Sequence, residues 1–584
     1  MQVIPVGGCG EFGRNLTAYR AGGVLVLIDC GVQMPDDTTP GVDFLCPDVE
    51  PLIERYGPPT AVVLTHGHED HIGALGHLLN VVGDPIPVYG RKLTLKLCER
   101  RLARLRVPNR LRDLRELPLG APLWLLGADG ETGLAVTPLA VPHSIPEACA
   151  LLIEGPLQAA DVIGPLGEPV VPRPLPRGAA AVLHTGDYKL DEFADALRLS
   201  GSGLPGRDFP AIDLLVGDST NAQVPGRAAS ERTVEQALRA LLLDEKPRGR
   251  VALTLFASHL ARIDHFAKSC RQAGRRVCLL GRGLHETTEA AAAAQVLTLP
   301  ADLLCTPEEA AARPPHQVAL VCTGTQGEAM AALSKLVAAL DRSVPSPFSG
   351  LRLAAGDIVV LSSRTIPGNE RQVGRLCDAL AEAGVRVRSG PEFAASGHGC
   401  QDELRALMRQ VRPRAVLPVH GAPRMLHAHA DLAEELGIPA LRCRDGDVVQ
   451  LGEHIEVVDR IPTGAVLYEG ESIGQISGET LRQRRLVHIT GVVAVATRPG
   501  LRTRLLVRTL GVRDRGPALE ALCAEAERAG EDAMALTAAH HPKTDELSAD
   551  AAAAAVRAVR ATFRRVLGTR PTVVSLLGAG SDDF

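Results

Sequence analysis

A chain of 584 residues with 45% hydrophobic content exceeds a single core, so about two to four packed domains are expected. A net charge of −5 argues weakly against a nucleic-acid partner, although the average hides a local contrast, and a 3% aromatic share argues against extensive base stacking. The thirteen cysteines include no Cys-x-x-Cys pair, no run approaches the ~20 apolar residues of a spanning helix, and no basic-then-apolar leader opens the chain. Neither a disulfide framework nor a thiolate zinc site is suggested, and a cytoplasmic protein without a membrane segment is expected.

Gly8-Cys9-Gly10-Glu11-Phe12-Gly13 fits G-x-G-x-x-G with Asp29 downstream, but a dinucleotide site needs a helix after the glycines. Asn15-Leu16-Thr17-Ala18-Tyr19, the pair Gly22-Gly23 and Val24-Leu25-Val26-Leu27-Ile28 predict a hairpin there instead. Next, Ala61-Val62-Val63-Leu64 predicts a short strand delivering Thr65-His66-Gly67-His68-Glu69-Asp70-His71 into a site. Three imidazoles and the Asp70 carboxylate suit a catalytic divalent metal, zinc above all. His66 and His68 point the same way on extended backbone, while Asp70 and His71 fall past the strand end, in position to face a second ion. A solvated polar loop is the plain alternative, and such a loop has little use for three histidines.

The run 91–115 carries Lys92, Lys96, Arg100, Arg101, Arg104, Arg106, Arg110 and Arg112 against Glu99 and Asp113. It reads equally as a solvated helix face or as a patch that steers phosphates. His143 follows the apolar run Leu134-Ala135-Val136-Thr137, Asp187 ends Val182-Leu183-His184-Thr185-Gly186, and His420 ends Ala415-Val416-Leu417-Pro418-Val419. Alone, each is more often a core or loop polar residue; the repeated order of strand, ligand type and Gly or Pro favours a ligand. The Pro- and Gly-rich stretch 155–178 predicts a surface hairpin insertion. Strands and helices then alternate: strands at 213–216, 251–255 and 277–280, with helices near 230–243 and 260–273. Beyond Pro462, strands are expected near 487–496 and 504–512, helices near 517–529 and 549–567, and a last strand near Val573.

The series Asp29, His66-x-His68-x-Asp70-His71, His143, Asp187 and His420 resembles the five motifs of the metallo-β-lactamase superfamily. Seven further phrases resemble the β-CASP nucleases, and within them the bacterial ribonuclease J family. These are His143-Ser144-Ile145-Pro146, His184-Thr185-Gly186-Asp187, Gly217-Asp218-Ser219-Thr220-Asn221, Thr323-Gly324-Thr325-Gln326-Gly327-Glu328, Ile366-Pro367-Gly368-Asn369-Glu370, Ser396-Gly397-His398 and Pro418-Val419-His420-Gly421. The resemblance runs from Val6 to about Val574. It implies an α/β protein: a metallo-β-lactamase αββα sandwich with an inserted β-CASP α/β domain and a small α/β C-terminal domain. Residues 1–207 would be the first part of the sandwich, 208–352 the β-CASP domain, and 353–450 the second part of the sandwich. A linker at 451–462 would lead to a C-terminal dimerisation domain at 463–584, giving a homodimer or tetramer.

By the same resemblance, His66, His68 and His143 hold one Zn2+ and Asp70, His71 and His420 hold another, with Asp187 bridging both. Mn2+ or Mg2+ are the alternatives in the cell. Two such ions, ~3.5–4 Å apart, lower the pKa of a water between them and screen charge on a phosphoryl group. Asp29 and Asp218 would orient ligands from behind, and His398 would contact the scissile phosphate and assist the leaving oxygen. RNA contacts are expected at Ser258, His259 and Leu260 and at Ala394, Ala395, Ser396, Gly397 and His398. Ser362, Ser363 and Arg364 would supply phosphate donors or else cap a strand-to-loop turn. The sequence departs from the family's usual Phe-Ala-Ser-Asn-Ile-His-Arg at His259 and Ala261, and it has Ala394 where a histidine is common.

The implied function is a ribonuclease acting on single-stranded RNA in maturation and decay, with partners in an RNA-decay complex. It would be a 5′-to-3′ exonuclease preferring 5′-monophosphate ends and an endonuclease, leaving 5′-phosphate and 3′-hydroxyl. A DNA-directed β-CASP nuclease is the alternative, because 2′-hydroxyl recognition leaves no readable motif. A small-molecule metallo-hydrolase would need the metal motifs but not Asp218-Ser219-Thr220 or His398. A non-catalytic scaffold predicts eroded ligands, and none is eroded.

Overall fold

The computed structural model describes residues 1–36, 38–158, 179–190, 211–365, 369–469, 474–498, 501–512, 517–538, 549–567 and 572–575. Most of the expected insertion 155–178 lies outside the described residues, as do Ile366, Pro367, Gly368 and the expected boundary at 207.

The glycine-rich start leads into antiparallel strands Leu16–Ala21 and Val24–Ile28, joined by Gly22 and Gly23 at φ +58° and +74°. Left-handed backbone at both turn positions matches the twist of the flanking strands, and glycine adopts it without a Cβ clash. The hairpin lies within an eight-stranded sheet, where Val24–Ile28 is followed by parallel strands Ala61–Val63, Ile86–Gly90 and Arg112–Glu116. A second, six-stranded sheet runs in the order Ala415–Val419, Leu214–Asp218, Ala180–His184, Cys149–Gln158, Thr132–Ala140, Leu123–Leu126.

Val3, Tyr19, Val26 and Val63 of the first sheet share one buried core with Leu134, Leu151, Val182, Leu214 and Leu417 of the second. The outer face of the second sheet packs Leu183, Leu215 and Val416 with Leu404 and Met408 of helix Gln401–Val411 and Leu432 of helix Pro423–Glu435. Helix Lys92–Arg104 packs on the first sheet at Ile86–Gly90 and Arg112–Glu116. Strands covered on both faces read as unbroken apolar runs, as Ala180–His184 and Leu214–Asp218 do.

Between Asp218 and helix Gln401–Val411 the chain forms a separate parallel sheet. Its order is Arg276–Leu280, Val318–Cys322, Val251–Thr254, Ile358–Leu361, Arg386–Arg388. One face buries Leu238 of helix Glu231–Leu243 and Phe266 of helix Leu260–Gln272, and the other buries Leu376 and Leu380 of helix Glu370–Glu382. Val251–Thr254 is central, and the helix that follows it, Leu260–Gln272, covers one face while the helices after its two neighbours, Ala332–Ala338 and Glu370–Glu382, cover the other, so the loop after it opens at a topological switch point.

Three expected boundaries move. The return to the sandwich, expected at 353, comes later, because Ile358–Leu361 and Arg386–Arg388 pair with the inserted sheet. A four-residue apolar strand suits either sheet, and its partner is set by contacts distant in sequence. Within the expected linker 451–462, Ile455–Arg460 pairs with Asp447–Leu451 as an edge strand. Its exposed residues from Glu456 onward give that strand the composition of a linker.

The chain divides into two compact units, Met1–Gln33 with Leu45–Val466, and Met34–Phe44 with Leu467–Phe584. The second therefore includes a segment that the expected boundaries left in the first domain. In it, helices Pro517–Ala538 and Ala549–Leu567 bury Leu522, Ala526, Ala555 and Phe563 against Val493, Val495, Leu505 and Val507 of a three-stranded sheet. The strand expected from 487 begins at Val492. Leu486 and Val487 belong to helix Gly478–Thr490, whose aliphatic last turn imitates a strand and which stops at Gly491, φ +70°.

The helix expected to end near Ala529 continues to Ala538 through Gly530. A Cβ at Gly530 would lie 2.6 Å from Leu505 Cδ1 and 3.2 Å from Val559 Cγ2, so this glycine serves close packing and not helix termination. Gly530→Val should overpack that seam and destabilise the second unit by about 1–3 kcal/mol. The sole tryptophan, Trp124, lies in the first unit. In urea, the far-UV circular dichroism transition should therefore shift to lower denaturant while the fluorescence transition stays in place.

Candidate metal centre

Strand ends from both sandwich sheets deliver the site. His66 Nε2 and His143 Nε2 lie 3.0 and 3.2 Å from His68 Nδ1, and Asp187 Oδ2 lies 3.6 Å from His66 Nε2 and 3.8 Å from His143 Nε2. In a second group, His71 Nε2 lies 3.3 Å from Asp187 Oδ2 and 3.7 Å from Asp70 Oδ2. His420 joins it with Nε2 3.3 Å from Asp70 Oδ2 and Nδ1 3.0 Å from Asp187 Oδ1. Asp187 belongs to both groups. Ring nitrogens facing one another this closely need a proton or a cation between them, and each neutral imidazole has only one N–H. Imidazoles with carboxylates are the donor set of zinc and related divalent ions, so the residues fit two cations sharing one carboxylate.

Electrostatics separate the two groups. Burial holds His66 and His143 well below the ordinary histidine range and lowers His68 to about 4, which leaves lone pairs free to ligate. Burial opposes charge on His71 and His420 too, but Asp187 and neighbouring carboxylates outweigh it and raise both well above the usual range. Asp187 itself is disfavoured as an anion by burial, yet His420, His71 and His398 hold it well below a normal carboxyl.

Four of the five ligand-type histidines are also held from behind. His71 Nδ1 is 2.7 Å from Asp29 Oδ2, and Asp29 in turn accepts from Thr65 N and Thr65 Oγ1, both at 2.8 Å. His66 Nδ1 faces Thr65 Oγ1 at 3.0 Å, His143 Nδ1 faces the Gly397 carbonyl at 2.7 Å, and His68 Nε2 faces Ser258 Oγ at 2.9 Å. Asp29 and His420 sit at φ +61° and +56°, a conformation rare outside glycine and concentrated at functional sites. The sequence reading missed Thr65, Asn15 and Asn221. Asn15 Nδ2 donates to the Asp70 carbonyl at 3.0 Å, and Asn221 Nδ2 donates to Ser396 Oγ at 2.8 Å and to the His398 carbonyl at 2.9 Å. These lie beside or inside recognised phrases, but an amide or hydroxyl there reads no differently from a turn residue.

His398 Nδ1 is 2.8 Å from Asp218 Oδ2, whose other oxygen accepts from Thr220 N at 2.9 Å and Thr220 Oγ1 at 2.7 Å. Its side chain is 21% exposed, against 2% for Asp187, so it stands at the open edge of the cluster. Burial works against its charge, but Asp218 and Asp187 raise its pKa above the ordinary value.

The residues expected to touch RNA divide. Leu260, Ala394 and Ala395 are buried in the protein, so their side chains are packing elements, and His259 is buried beside Phe256. Ser396 Oγ is held by Asn221 and by His398 N, and Gly397 contributes the carbonyl on His143. The Ser362 hydroxyl donates to the Phe393 carbonyl, and Ser363 Oγ is held by Thr325 at 2.5 Å and Gln326 at 3.0 Å, as in the turn-capping alternative. Arg364 is exposed. Together with Ser258 it lies in loops after two adjacent strands at the switch point, where α/β sheets usually form their ligand crevice.

The basic run 91–115 is largely engaged by the protein itself. Arg91 donates to the Leu117 carbonyl, Arg100 to the Glu286 carbonyl and Glu289, Arg101 to the Gly73 carbonyl, and Arg112 to the Val107 carbonyl.

Comparison with known proteins agrees with this architecture. A Beta-lactamase superfamily domain matches residues 25–168, a "Ribonuclease J, beta-CASP domain" matches 248–380, and a "Zn-dependent metallo-hydrolase RNA specificity domain" matches 374–442. The Ribonuclease J of Mycobacterium tuberculosis is 35% identical over 85% of this chain and 82% of its own length. The chain belongs to the ribonuclease J family. The Ribonuclease J of Mycolicibacterium smegmatis is 32% identical over 99% of this chain and 97% of its own. That of Thermus thermophilus is 32% identical over 86% and 82%. This family assignment joins the sandwich and the inserted sheet into one metallo-β-lactamase and β-CASP architecture. Among the described residues, no helix is long and apolar enough to cross a membrane.

Gly31 shows how tightly the centre is framed. A Cβ there would stand 1.5 Å from the Asp70 carbonyl oxygen, a backbone atom that cannot swing aside. Gly31→Ala should displace the Asp70-His71 turn and cost about 3 kcal/mol or more, the upper range for overpacking. The Trp124 fluorescence midpoint in urea measures it.

Proposed function

We propose that this chain is a metal-dependent ribonuclease that hydrolyses phosphodiester bonds of single-stranded RNA, with zinc as its metal. It acts as a 5′-to-3′ exonuclease preferring 5′-monophosphate ends and as an endonuclease, leaving 5′-phosphate and 3′-hydroxyl. One observation carries the reading: two donor groups meet on a shared buried carboxylate, with an Asp218-held histidine at their open edge. The relatives named Ribonuclease J support RNA as the substrate.

His66, His68, His143 and Asp187 would hold one ion, and Asp70, His71, His420 and Asp187 the other. When bound, the ions lower the pKa of a water for attack on phosphorus and screen the charge that builds on the phosphoryl group. The chain's own residues set protons and orientation. Asp29 accepts the Nδ1 proton of His71, which leaves the Nε2 lone pair facing the donor group. Asp218 accepts the Nδ1 proton of His398, so Nε2 is the atom left for the substrate, where it gives a proton to the departing 3′-oxygen. His259 and Ala394 stand where the family commonly carries Asn and His, so the 5′-end preference is the property most open to change in this chain. In the second unit, the exposed Leu510 and Leu536 support self-association as a dimer or tetramer.

Asp187→Ala removes the shared ligand and should abolish hydrolysis with the Trp124 unfolding transition retained; near-normal turnover at matched metal content would end the two-ion scheme. His398→Ala should slow cleavage by about two to four orders of magnitude, the range for general acid–base catalysis, with metal content unchanged. Loss of an ion in that variant would make His398 a ligand. RNA bearing a 5′-monophosphate should be cut in preference to RNA bearing a 5′-triphosphate or 5′-hydroxyl end, and single-stranded DNA should resist. Equal cleavage of DNA would instead identify a DNA-directed nuclease.

A further inference from the structure

We infer that Ser258 is a positioning residue of the metal centre, through which the inserted α/β domain completes the outer layer of the subsite built by His66, His68 and His143. The inference rests on the metal-centre reading above.

The side chains of His66 and His143 are buried, His68 is half-buried, and each ring turns one nitrogen inward. For that nitrogen to be bare, the single N–H of a neutral ring must sit on the outward nitrogen and find an acceptor. His66 finds Thr65 Oγ1, its neighbour in the chain. The other two acceptors come from far along the sequence. His143 uses the Gly397 carbonyl, and His68 Nε2 uses Ser258 Oγ at 2.9 Å, its one hydrogen-bond partner among the described residues. The sandwich segment bearing the histidine pair therefore supplies one of the three outer contacts. Ser258, expected from the sequence to touch RNA, has its hydroxyl turned to a metal-ligand histidine.

The hydroxyl is held in place by a buried network. Ser258 lies in the turn between strand Val251–Thr254 and helix Leu260–Gln272, and its carbonyl accepts from Leu260 N at 2.8 Å. Arg262, 2% exposed, anchors that helix. Its guanidinium donates to both oxygens of Glu231 at 2.7 and 2.9 Å, to the Ser362 carbonyl at 2.6 Å and to the Ala395 carbonyl at 3.3 Å. Lys189 Nζ, two residues past Asp187, reaches the same Glu231 at 3.3 Å. Arg262 thus ties the Ser258 turn to the loop that carries Gly397 and His398. Two outer contacts of one subsite depend on how the insert is seated, so ion retention there and insert seating are linked, and linkage of this kind is reciprocal.

The test uses the full chain loaded with zinc, dialysed against graded concentrations of a chelator, with zinc counted per chain. Ser258→Ala should weaken one of two bound ions about 10- to 100-fold, the usual cost of losing a ligand's outer partner, and leave the other as in the wild type. Ser258→Thr, which keeps the hydroxyl, should restore wild-type retention. Metal-free wild type and Ser258→Ala should unfold at the same urea concentration by Trp124 fluorescence, which a merely structural role would not allow. Wild-type retention of both ions by Ser258→Ala, or a threonine variant as weak as the alanine one, would overturn the inference. Wild-type protein that retains no zinc at all would instead overturn the metal-centre reading on which it rests.

Discussion

Burying a carboxylate as completely as Asp187 costs several kcal/mol unless opposite charge surrounds it. In this chain the surroundings are three further carboxylates, Asp29, Asp70 and Asp218, and the rings of His66, His71, His143, His398 and His420. Burial leaves His66, His68 and His143 neutral, so in the bare chain the counter-charge falls to His71, His398 and His420, which the carboxylates raise toward their cationic forms. A cation shared across Asp187 would take over that role and leave His71 and His420 neutral, with lone pairs free to ligate. Ligand spacing, the left-handed residues Asp29 and His420, and the clearance at Gly31 are all consequences of bringing those charges together.

The sheets make that convergence cheap in chain terms. Ala180–His184, Leu214–Asp218 and Ala415–Val419 are adjacent and parallel, so their carboxyl ends open on one edge and place Asp187, Asp218 and His420 side by side. Val24–Ile28 and Ala61–Val63 are parallel neighbours in the other sheet and deliver Asp29 and His66 to the same edge. Because Asp218 and His420 come from neighbouring strands, the whole inserted sheet can enter between them without disturbing their register. The two loops it adds above the edge are then in place to supply Ser258 and the Gly397 carbonyl.

Legibility from sequence followed the same physics. The hairpin and the strand-then-ligand pattern were readable because a strand covered on both faces is an uninterrupted apolar run, and the polar residue ending it stands out. Every residue of the two donor groups was named on that basis or from the ordered motifs, and the structure brings them together. What was not readable depended on pairing at a distance. Ile358–Leu361 shows only four apolar residues and nothing of its partner strand, and Ile455–Arg460 hides an edge strand behind exposed charge. Leu260, Ala394 and Ala395 lie in stretches resembling substrate contacts, yet their side chains face the core. Gly530 resembles a helix stop and is a packing clearance.

The basic run 91–115 marks a limit of charge counting. Its arginines look like a cationic patch in sequence, but in the fold Arg91, Arg100, Arg101 and Arg112 are spent on main-chain carbonyls and nearby carboxylates. Each such contact fixes a turn or a helix end and leaves less of the charge for a ligand. With a net charge of −5 and a centre rich in carboxylates, the bare chain presents little that would draw in a polyanion. Ions held at Asp187 would reverse the local sign where a phosphodiester must lie. Ions there would serve substrate approach as well as chemistry, and the same buried carboxylate would govern both.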